Sequence, residues 1–153
     1  MSDICKCSRD GYRVTADLGQ SELESAYEFI SRRSYWARDM PKAAFETSVQ
    51  NSLVYGLLAP SGSLVGFARV ITDRAVLAYL CDVFVDEGHR GSGLGTWLCQ
   101  CVMAHHDLAS VKRWMLATDD AHDLYARLGF VALPDPSIFM QKSMFSDWTQ
   151  RPD

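Results

Sequence analysis

The segment Asp86–Gly95, DEGHRGSGLG, restricts the fold more than any other part of the chain, because three glycines fall within its last five residues. Glycines this close together indicate a backbone that turns with positive φ, or one that another group approaches closely. The preceding run, VLAYLCDVFV, is typical of a strand buried on both faces. In the following run Leu94, Leu98, Cys101 and Val102 fall on one helical face. The sequence therefore predicts a strand, a glycine turn and a helix in direct succession.

This arrangement points several backbone N–H groups at one place, at the positive end of a helix dipole, and so suits a phosphate. Arg90 offers a second cationic contact. A P-loop is excluded because no lysine follows Gly95, and a dinucleotide fingerprint is disfavoured because Thr96 and Leu98 stand where its third glycine would be. The remaining pattern is R-x-x-G-x-G, and the alternative to a ligand site is a turn that serves packing alone.

The rest of the chain predicts one α/β domain over residues 1–153, with residues 1–10 as a flexible N-terminal tail. Alternation or apolar runs predict strands in YRVTAD, LVYGLLAP, LVGFARVITD, VLAYLCDVFV, RWMLAT and SIFMQKSM. Helical spacing predicts helices in SELESAYEFISRRS, in a second segment that opens near Pro41, after the glycine turn, and in AHDLYARLGF, which Gly129 ends. The predicted order is β-α-α-β-β-β-α-β-α-β in a mixed sheet.

Composition limits the functions that this chain can have. Apolar residues make up 48% and charged residues 22% of the chain, as in a typical soluble globular protein. The net charge of −4 argues against nucleic-acid partners. No apolar run approaches the roughly 18 residues that span a bilayer, and MSDICKCSRDG lacks a signal-peptide core, so we expect a cytoplasmic protein without membrane partners. The five cysteines, spaced C-x-C twice, predict no metal site.

Two motifs carry a resemblance to a known family. VFVDEGHRGSGLGTWL resembles the acetyl-CoA-binding motif of the GNAT superfamily of N-acetyltransferases, and LYARLGF is similar to the family's second motif through Tyr125, Gly129 and Phe130. The likeness runs from the first strand to about Gln141 and is to small bacterial members. It implies the GNAT fold, a mostly antiparallel sheet that splays at the fourth predicted strand and is flanked by about four helices.

The resemblance implies acetyl-CoA as the cosubstrate, held largely by main-chain groups. The strand would pair with the pantetheine arm and the glycine loop would hold the pyrophosphate. The implied contacts are Val83, Phe84, Val85, Arg90, Gly91, Ser92, Gly93, Leu94, Gly95 and Thr96. Thr118 stands where many members carry an asparagine that contacts the cofactor, and its hydroxyl can still hydrogen-bond.

The implied reaction is direct attack of an amine on the thioester in a ternary complex, without a covalent enzyme intermediate. Tyr125 occupies the position of the family's catalytic tyrosine and would act as general acid, since a phenol is protonated at neutral pH. Periodicity alone favours a core aromatic role for Tyr125. Asp82, a carboxylate inside an apolar strand, is either the general base, directly or through water, or a residue that only bonds a neighbouring backbone group or Arg69. The N–H of Val83 or of a neighbouring residue is the expected oxyanion donor.

The acceptor is the least determined part of the prediction. Tyr35, Trp36 and Tyr79 would suit a cationic amine, whereas Arg69 would suit a substrate carboxylate. A small amine, an amino acid and a peptide or protein amine all stay open, and a homodimer is compatible with the resemblance. The alternative function is that of a sensor that binds acyl-CoA without catalysis.

Overall fold

The computed structural model describes residues 7–144 and Trp148. Six strands form one sheet in the order β1 to β6, and the first five run antiparallel to their neighbours while β6 runs parallel to β5. The strands are β1 Cys7–Arg9, β2 Tyr12–Thr15, β3 Leu53–Leu58, β4 Leu64–Thr72, β5 Leu77–Val85 and β6 Arg113–Met115. The helices are α1 Gln20–Arg33, α2 Lys42–Gln50, α3 Leu94–Met103 and α4 His122–Arg127. The predicted mixed α/β fold with four helices is confirmed.

The apolar core lies in two clusters, one on each face of the sheet. Phe67 belongs to the cluster that α1 and α2 cover, whereas its neighbour Ala68 belongs to the cluster that α3 covers. Successive residues of a strand point to opposite faces, so the middle of β4 is buried on both sides, whereas β5 alternates between buried and more exposed residues up to Val83. Trp148 packs against the α1–α2 cluster. Among the described helices, none is long and apolar enough to cross a membrane.

The sheet opens at β5, as predicted for the fourth strand of the sequence pattern. β6 pairs only with Leu77–Tyr79, so the second half of β5 has no neighbour on that side among the described strands. On its other side β5 pairs Cys81 with Arg69 and Phe84 with Phe67, which leaves Asp82 and Val83 opposite one residue of β4. This bulge bends the strand beside the splay, where β-bulges often serve to re-aim side chains.

Two differences from the predicted strands lie at the ends of the described chain. Cys7–Arg9 pair with β2, since Asp10 and Gly11 form a turn with φ of 51° and 84° that suits a tight hairpin. That part of the expected tail is therefore a strand, and residues 1–6 lie outside the described residues. The predicted final strand, SIFMQKSM, is wrong: residues 136–138 form a 3-10 turn, and residues 139–144 form neither helix nor strand. Alternation supplies an apolar face, but a strand also needs a neighbour to pair with.

Candidate active site

The glycine turn has the strand–turn–helix geometry that the sequence predicts. Gly91 and Gly93 have φ of 93° and 78°, a conformation that side chains beyond glycine rarely adopt. Gly93 is the N-cap of α3, and within the described chain no side chain caps this helix end. Gly95 serves packing instead, because a Cβ there would lie 3.1 Å from Leu124 Cδ1 of α4. The first two glycines shape the turn, and the third allows α4 to approach α3.

A groove of about 610 Å³ lies along this turn and the second half of β5. Its lining includes all but two of the predicted cofactor contacts: Val83, Phe84, Val85, Arg90, Gly91, Gly93, Leu94, Gly95 and Thr96. Ser92 is not part of the lining, and Thr118 lies in the neighbouring cleft instead. The ring of Phe84 is buried and stacks on Phe29 at 3.8 Å between centroids. Phe84 can therefore offer a ligand mainly its backbone.

Several arginines surround the groove, and most of them could not be predicted. Arg90 donates a 2.7 Å hydrogen bond from Nε to the carbonyl oxygen of Val85. Arg127 lines the groove, and the Arg9 guanidinium lies 3.7 Å from the position of a Cβ on Gly93. Arg33 also lines it but donates to Asp86 at 3.0 Å, and this hydrogen bond raises the pKa of the guanidinium and lowers that of the carboxyl. The turn is therefore surrounded by the side chains of Arg9, Arg33 and Arg127 in addition to Arg90 of the R-x-x-G-x-G motif.

A second cleft, of about 300 Å³, opens on the other side of the β5 bulge. Of the predicted site residues it is lined by Tyr35, Trp36, Tyr79, Asp82, Val83, Thr118 and Tyr125, and it adds Cys81, Asp119 and Asp120. Asp119 and Asp120 form the rim of this cleft, and Tyr35 fixes their position. Its phenol donates to Asp120 Oδ1 and accepts from the N–H of Asp119, both at 3.3 Å. Within the described chain, no cationic side chain lines this cleft. We refer to it as the acceptor cleft and to the first as the cofactor groove.

Asp82 is held from two sides at the base of the acceptor cleft. Its Oδ2 accepts from Arg69 Nε at 2.7 Å and its Oδ1 accepts from Trp36 Nε1 at 2.9 Å. Arg69 also donates to Ser52 at 3.1 Å and lines neither cleft. Asp82 has a φ of 54°, which is costly for a residue other than glycine and is found mostly where function or surrounding structure requires it. The Asp82–Arg69 ion pair, one of the roles that the sequence left open, is present. The hydrogen bond from Trp36 connects Asp82, in the bulge, to an aromatic side chain of the acceptor cleft.

Tyr125 stands where the two clefts meet and lines both of them. It lies near the end of α4, where Gly129 adopts a φ of 93° and lets the N–H of Phe130 donate to the Tyr125 carbonyl at 3.1 Å. The Phe130 ring then packs edge-on against the Tyr125 ring at 5.9 Å. The Y-x-x-x-G-F spacing is therefore a helix C-terminus that fixes this tyrosine. Burial raises the pKa of the phenol well above its ordinary value of 10, so the hydroxyl stays protonated.

Cys81 is the cysteine of the acceptor cleft, and its environment opposes a nucleophilic role. Burial raises the pKa of the Cys81 thiol from 9.0 to about 12, and that of Cys99 in the core to about 12. The thiolate is the reactive form of cysteine, so Cys81 is a poor nucleophile at neutral pH. Transfer without an enzyme-bound acyl group stays a prediction.

The raised thiol pKa values predict a loss of stability at high pH. Thiols of the unfolded chain ionise near 9, whereas the folded thiols keep their protons to about 12, so stability falls as pH rises between these values. We expect each thiol to contribute a slope of up to about 1.4 kcal/mol per pH unit. Urea unfolding from pH 8 to 10 measures it, and Cys81→Ala should reduce the slope. Equal slopes in the two proteins would mean that the Cys81 thiol titrates normally.

The described residues contain one group with metal-ligand geometry, and it lies apart from both clefts. His105, His106 and Asp107 follow α3, with ligand atoms within 4.8 Å of one another. His105 is buried edge-on against Tyr55, and its Nδ1 accepts from the N–H of Asp107 at 3.3 Å. The expectation of no metal stays a prediction.

The α/β domain, with a mixed sheet that opens at β5 beside two adjoining clefts, matches the fold of the GNAT acetyltransferases. The chain belongs to the acetyltransferase (GNAT) family, whose model matches residues 17–130. A crystal structure of a GNAT-family protein from Xanthomonas campestris pv. campestris is 40% identical, with a TM-score of 0.80 over 87% of this chain and 93% of that one. Members of this family are transferases and generally use acetyl-CoA, and this chain is an acetyltransferase by membership.

Related sequences also come from fungi and plants. An assigned acetyltransferase of Gibberella zeae is 27% identical over 139 residues, which cover 78% of each chain. A histone acetyltransferase of Glycine max is 33% identical over 75 residues, which cover 47% of this chain and 32% of the plant protein. Because these relatives span kingdoms, the similarity to bacterial members does not fix the source of the chain.

Proposed function

We propose that this protein transfers the acetyl group of acetyl-CoA to a primary amine that carries further positive charge. The observation that carries the proposal is the difference in charge between two adjoining clefts that share Tyr35, Trp36, Val83, Asp120, Ala121 and Tyr125. The cofactor groove is lined by a glycine turn and by Arg33, Arg90 and Arg127 beside Glu87 and the shared Asp120. The acceptor cleft is lined by Asp82, Asp119 and Asp120 and, among the described residues, by no cationic side chain. A polyanionic cosubstrate and a cationic acceptor would each be drawn to a different cleft and would meet at the bulge of β5.

The residues present fit the phosphates and pantetheine arm of acetyl-CoA. Gly91 and Gly93 leave the turn open to a ligand, because a Cβ on Gly91 would meet nothing within 4 Å and one on Gly93 would meet only Arg9. Within the described chain no side chain caps the N-terminus of α3, so its N–H groups are available to a pyrophosphate. Arg90, Arg127 and Arg9 add positive charge around this turn. The half of β5 that β6 leaves unpaired offers an edge for an extended arm. When bound, acetyl-CoA would supply a thioester whose carbonyl carbon is open to attack by an amine.

Residues of this chain would donate and accept the protons that the reaction transfers and would stabilise the negative charge that develops on the carbonyl oxygen. As the amine nitrogen bonds to the carbonyl carbon and the carbon–sulfur bond breaks, the leaving thiolate needs a proton. Tyr125 would donate it, because its hydroxyl lies at the junction of the clefts and is protonated at neutral pH. Burial raises the pKa of this phenol and so makes it a weaker acid than free tyrosine, which means that the transfer would depend on a direct hydrogen bond to the leaving sulfur. The N–H of Val83, at the bulge, would stabilise the developing oxyanion. Asp82 would accept the ammonium proton through water, since each of its engaged oxygens keeps a second lone pair.

The charge of the acceptor follows from the lining of its cleft. Asp119 and Asp120 are exposed at the rim, Asp82 lies at the base, and the Tyr35 and Trp36 rings form a wall. Arg69 is committed to Asp82 and Ser52 and does not line the cleft, so it offers a substrate carboxylate no partner there. Carboxylates beside aromatic faces attract ammonium groups. A second ammonium on the acceptor would therefore bind at the rim while the first is acetylated.

The test is a thiol-release assay with three acceptors of equal length: 1,5-diaminopentane, pentylamine and 5-aminopentanoate. These differ only in whether the far end is cationic, neutral or anionic. We expect kcat/KM to fall in that order, by roughly tenfold or more between the first and the last, equivalent to about 1.4 kcal/mol. The difference should shrink at high salt, because the rim carboxylates are exposed.

A variant with both Asp119→Asn and Asp120→Asn separates the charge from the shape of the rim. Asparagine keeps the size of each side chain and can still accept from Tyr35, so we expect pentylamine to react as before while the preference for the diamine is lost. Equal kcat/KM for all three acceptors in the native protein would refute the charge selection. Absence of thiol release with every amine would refute the transfer itself.

A further inference from the structure

The hairpin formed by β1 and β2 is fixed to the segment that leads into the glycine turn. Tyr12 Oη lies 2.8 Å from His89 Nδ1, a hydrogen bond, and the two rings pack edge-on at 5.7 Å between centroids. His89 ends the 3-10 turn Glu87–His89, immediately before the R-x-x-G-x-G motif. Arg9 of β1 pairs with Tyr12 of β2 in the hairpin, so this contact also fixes the position of Arg9. A residue of the first hairpin is therefore held beside the glycine turn.

The guanidinium of Arg9 presents its two terminal nitrogens to this turn. Nη1 lies 3.7 Å and Nη2 lies 3.9 Å from the position of a Cβ on Gly93. Among the described residues no carboxylate pairs with Arg9, whereas Arg33 and Arg69 are each paired with one. Arg9 is exposed and does not line the cofactor groove. Its donors are therefore available to a ligand group that lies just outside the groove.

The cofactor groove accounts for only two of the three phosphates of CoA. Besides its pyrophosphate, CoA carries a third phosphate, on the 3′-oxygen of the ribose. The N–H groups at the start of α3 suit the pyrophosphate. Of the arginines that line the groove, Arg90 donates to a backbone carbonyl and Arg33 is paired with Asp86. Only the ribose separates the pyrophosphate from the third phosphate, so a pyrophosphate at the turn places the third phosphate near it, where the planar donor fork of an arginine matches its oxygens.

We propose that Arg9 binds the 3′-phosphate of CoA, so that the protein selects CoA thioesters that carry this phosphate over those that lack it. The inference rests on the proposed binding of acetyl-CoA in the cofactor groove, and it adds a binding residue and a specificity that the R-x-x-G-x-G motif does not contain. Arg9 forms charge-assisted hydrogen bonds to the phosphate oxygens. Tyr12 and His89 act as positioning residues, because their hydrogen bond holds the hairpin against the turn.

The test is calorimetric titration of the native protein with acetyl-CoA and with its 3′-dephospho form, which differ only in this phosphate. We expect acetyl-CoA to bind tighter by roughly tenfold or more, the usual effect of hydrogen bonds between charged groups. The preference should shrink as salt is added, because Arg9 is exposed. Equal affinities would overturn the role of Arg9 and leave the proposed acetyl transfer standing, whereas absence of binding by either ligand would overturn both.

Two variants of the hairpin then locate the contact. Arg9→Gln should lower the affinity for acetyl-CoA to that of the dephospho form and leave the affinity for the dephospho form unchanged. Arg13→Gln is the matched control and should keep the native preference, because Arg13 is exposed on the same hairpin but is adjacent to Tyr12 in β2 and so points to the opposite face. An Arg9→Gln protein that binds both ligands equally more weakly, or that keeps the native preference, would overturn the proposal. So would loss of the preference in Arg13→Gln.

Phosphorus-31 NMR of the native protein decides the matter if Arg9→Gln does not fold. The 3′-phosphate is a monoester, so its signal is separate from those of the pyrophosphate and moves as it takes up its second proton. A guanidinium bonded to this phosphate favours the doubly charged form and so lowers the pKa of the monoester. We expect the monoester of bound acetyl-CoA to titrate at lower pH than that of free acetyl-CoA. The same titration in both would overturn the contact.

Discussion

Replacing Tyr125 with phenylalanine should lower turnover by roughly 10²–10⁴-fold, the usual contribution of a general acid, and leave the affinity for acetyl-CoA unchanged. Phenylalanine keeps the ring that packs against Phe130 and removes only the hydroxyl at the junction of the clefts. The leaving thiolate would then take its proton from water at a higher cost. Steady-state kcat with a saturating diamine and calorimetric titration with acetyl-CoA measure the two effects separately.

Tyr79→Phe is the matched control, because Tyr79 lines the same acceptor cleft but not the cofactor groove. We expect it to change kcat by less than about threefold, far below the usual effect of losing a general acid. The raised pKa of Tyr125 adds a second readout: ionisation of this phenol should not reduce the rate until the pH exceeds the ordinary tyrosine value of 10. If Tyr125→Phe turned over as fast as Tyr79→Phe, the phenol would be a packing residue, as its helical periodicity alone allows.

The features that the sequence predicted correctly are those that neighbouring residues determine. Positive φ at Gly91 and Gly93 follows from glycine's lack of a side chain, and the end of α4 follows from Gly129 in the same way. β5 lies where the apolar run predicts a strand, but the predicted burial on both faces is wrong for its first half, where Ala78 and Leu80 are buried and Leu77 and Tyr79 are exposed. Each of these signals lies within a few residues of the structure that it predicts.

The features that could not be predicted depend on residues far apart in the chain. Arg9 reaches the turn at Gly93 only because the first hairpin lies at that end of the sheet. The Arg69–Asp82 ion pair was one of the roles left open for Asp82, but its hydrogen bond with Trp36 was not foreseen, because the loop after α1 meets the β5 bulge only in the complete fold. Such contacts depend on the complete fold.

The predicted last strand shows a different limit of the sequence. Its alternation is present in SIFMQKSM, but every residue from 131 to 144 is exposed, so neither face of the segment is buried. A period of two residues indicates that a segment can pair, but it does not state with what. Among the described residues this segment adds no strand to the sheet, so alternation alone was not enough to predict one.

Replacing Gly93 with aspartate should weaken acetyl-CoA binding by roughly 10²–10³-fold, since a like charge placed against a bound phosphate costs several kcal/mol and each 1.4 kcal/mol is tenfold. The new carboxylate would project from the N-cap of α3, where the helix dipole and the N–H groups favour an anion of their own. It would also lie near the Arg9 guanidinium, 3.7 Å from the Cβ position, and so neutralise a cation of the turn. Calorimetric titration with acetyl-CoA measures the change.

Gly93→Asn separates this charge from the backbone strain that any side chain brings to a φ of 78°. Asparagine and aspartate have nearly the same shape, and both tolerate the left-handed region better than most residues. The space around the Cβ position is open apart from Arg9, so both variants should fold. We expect asparagine to cost at most about tenfold in affinity, the equivalent of about 1.4 kcal/mol. Equal affinity of the aspartate and asparagine variants would mean that no phosphate binds at Gly93, and the groove would then hold its ligand by contacts other than those of the glycine turn.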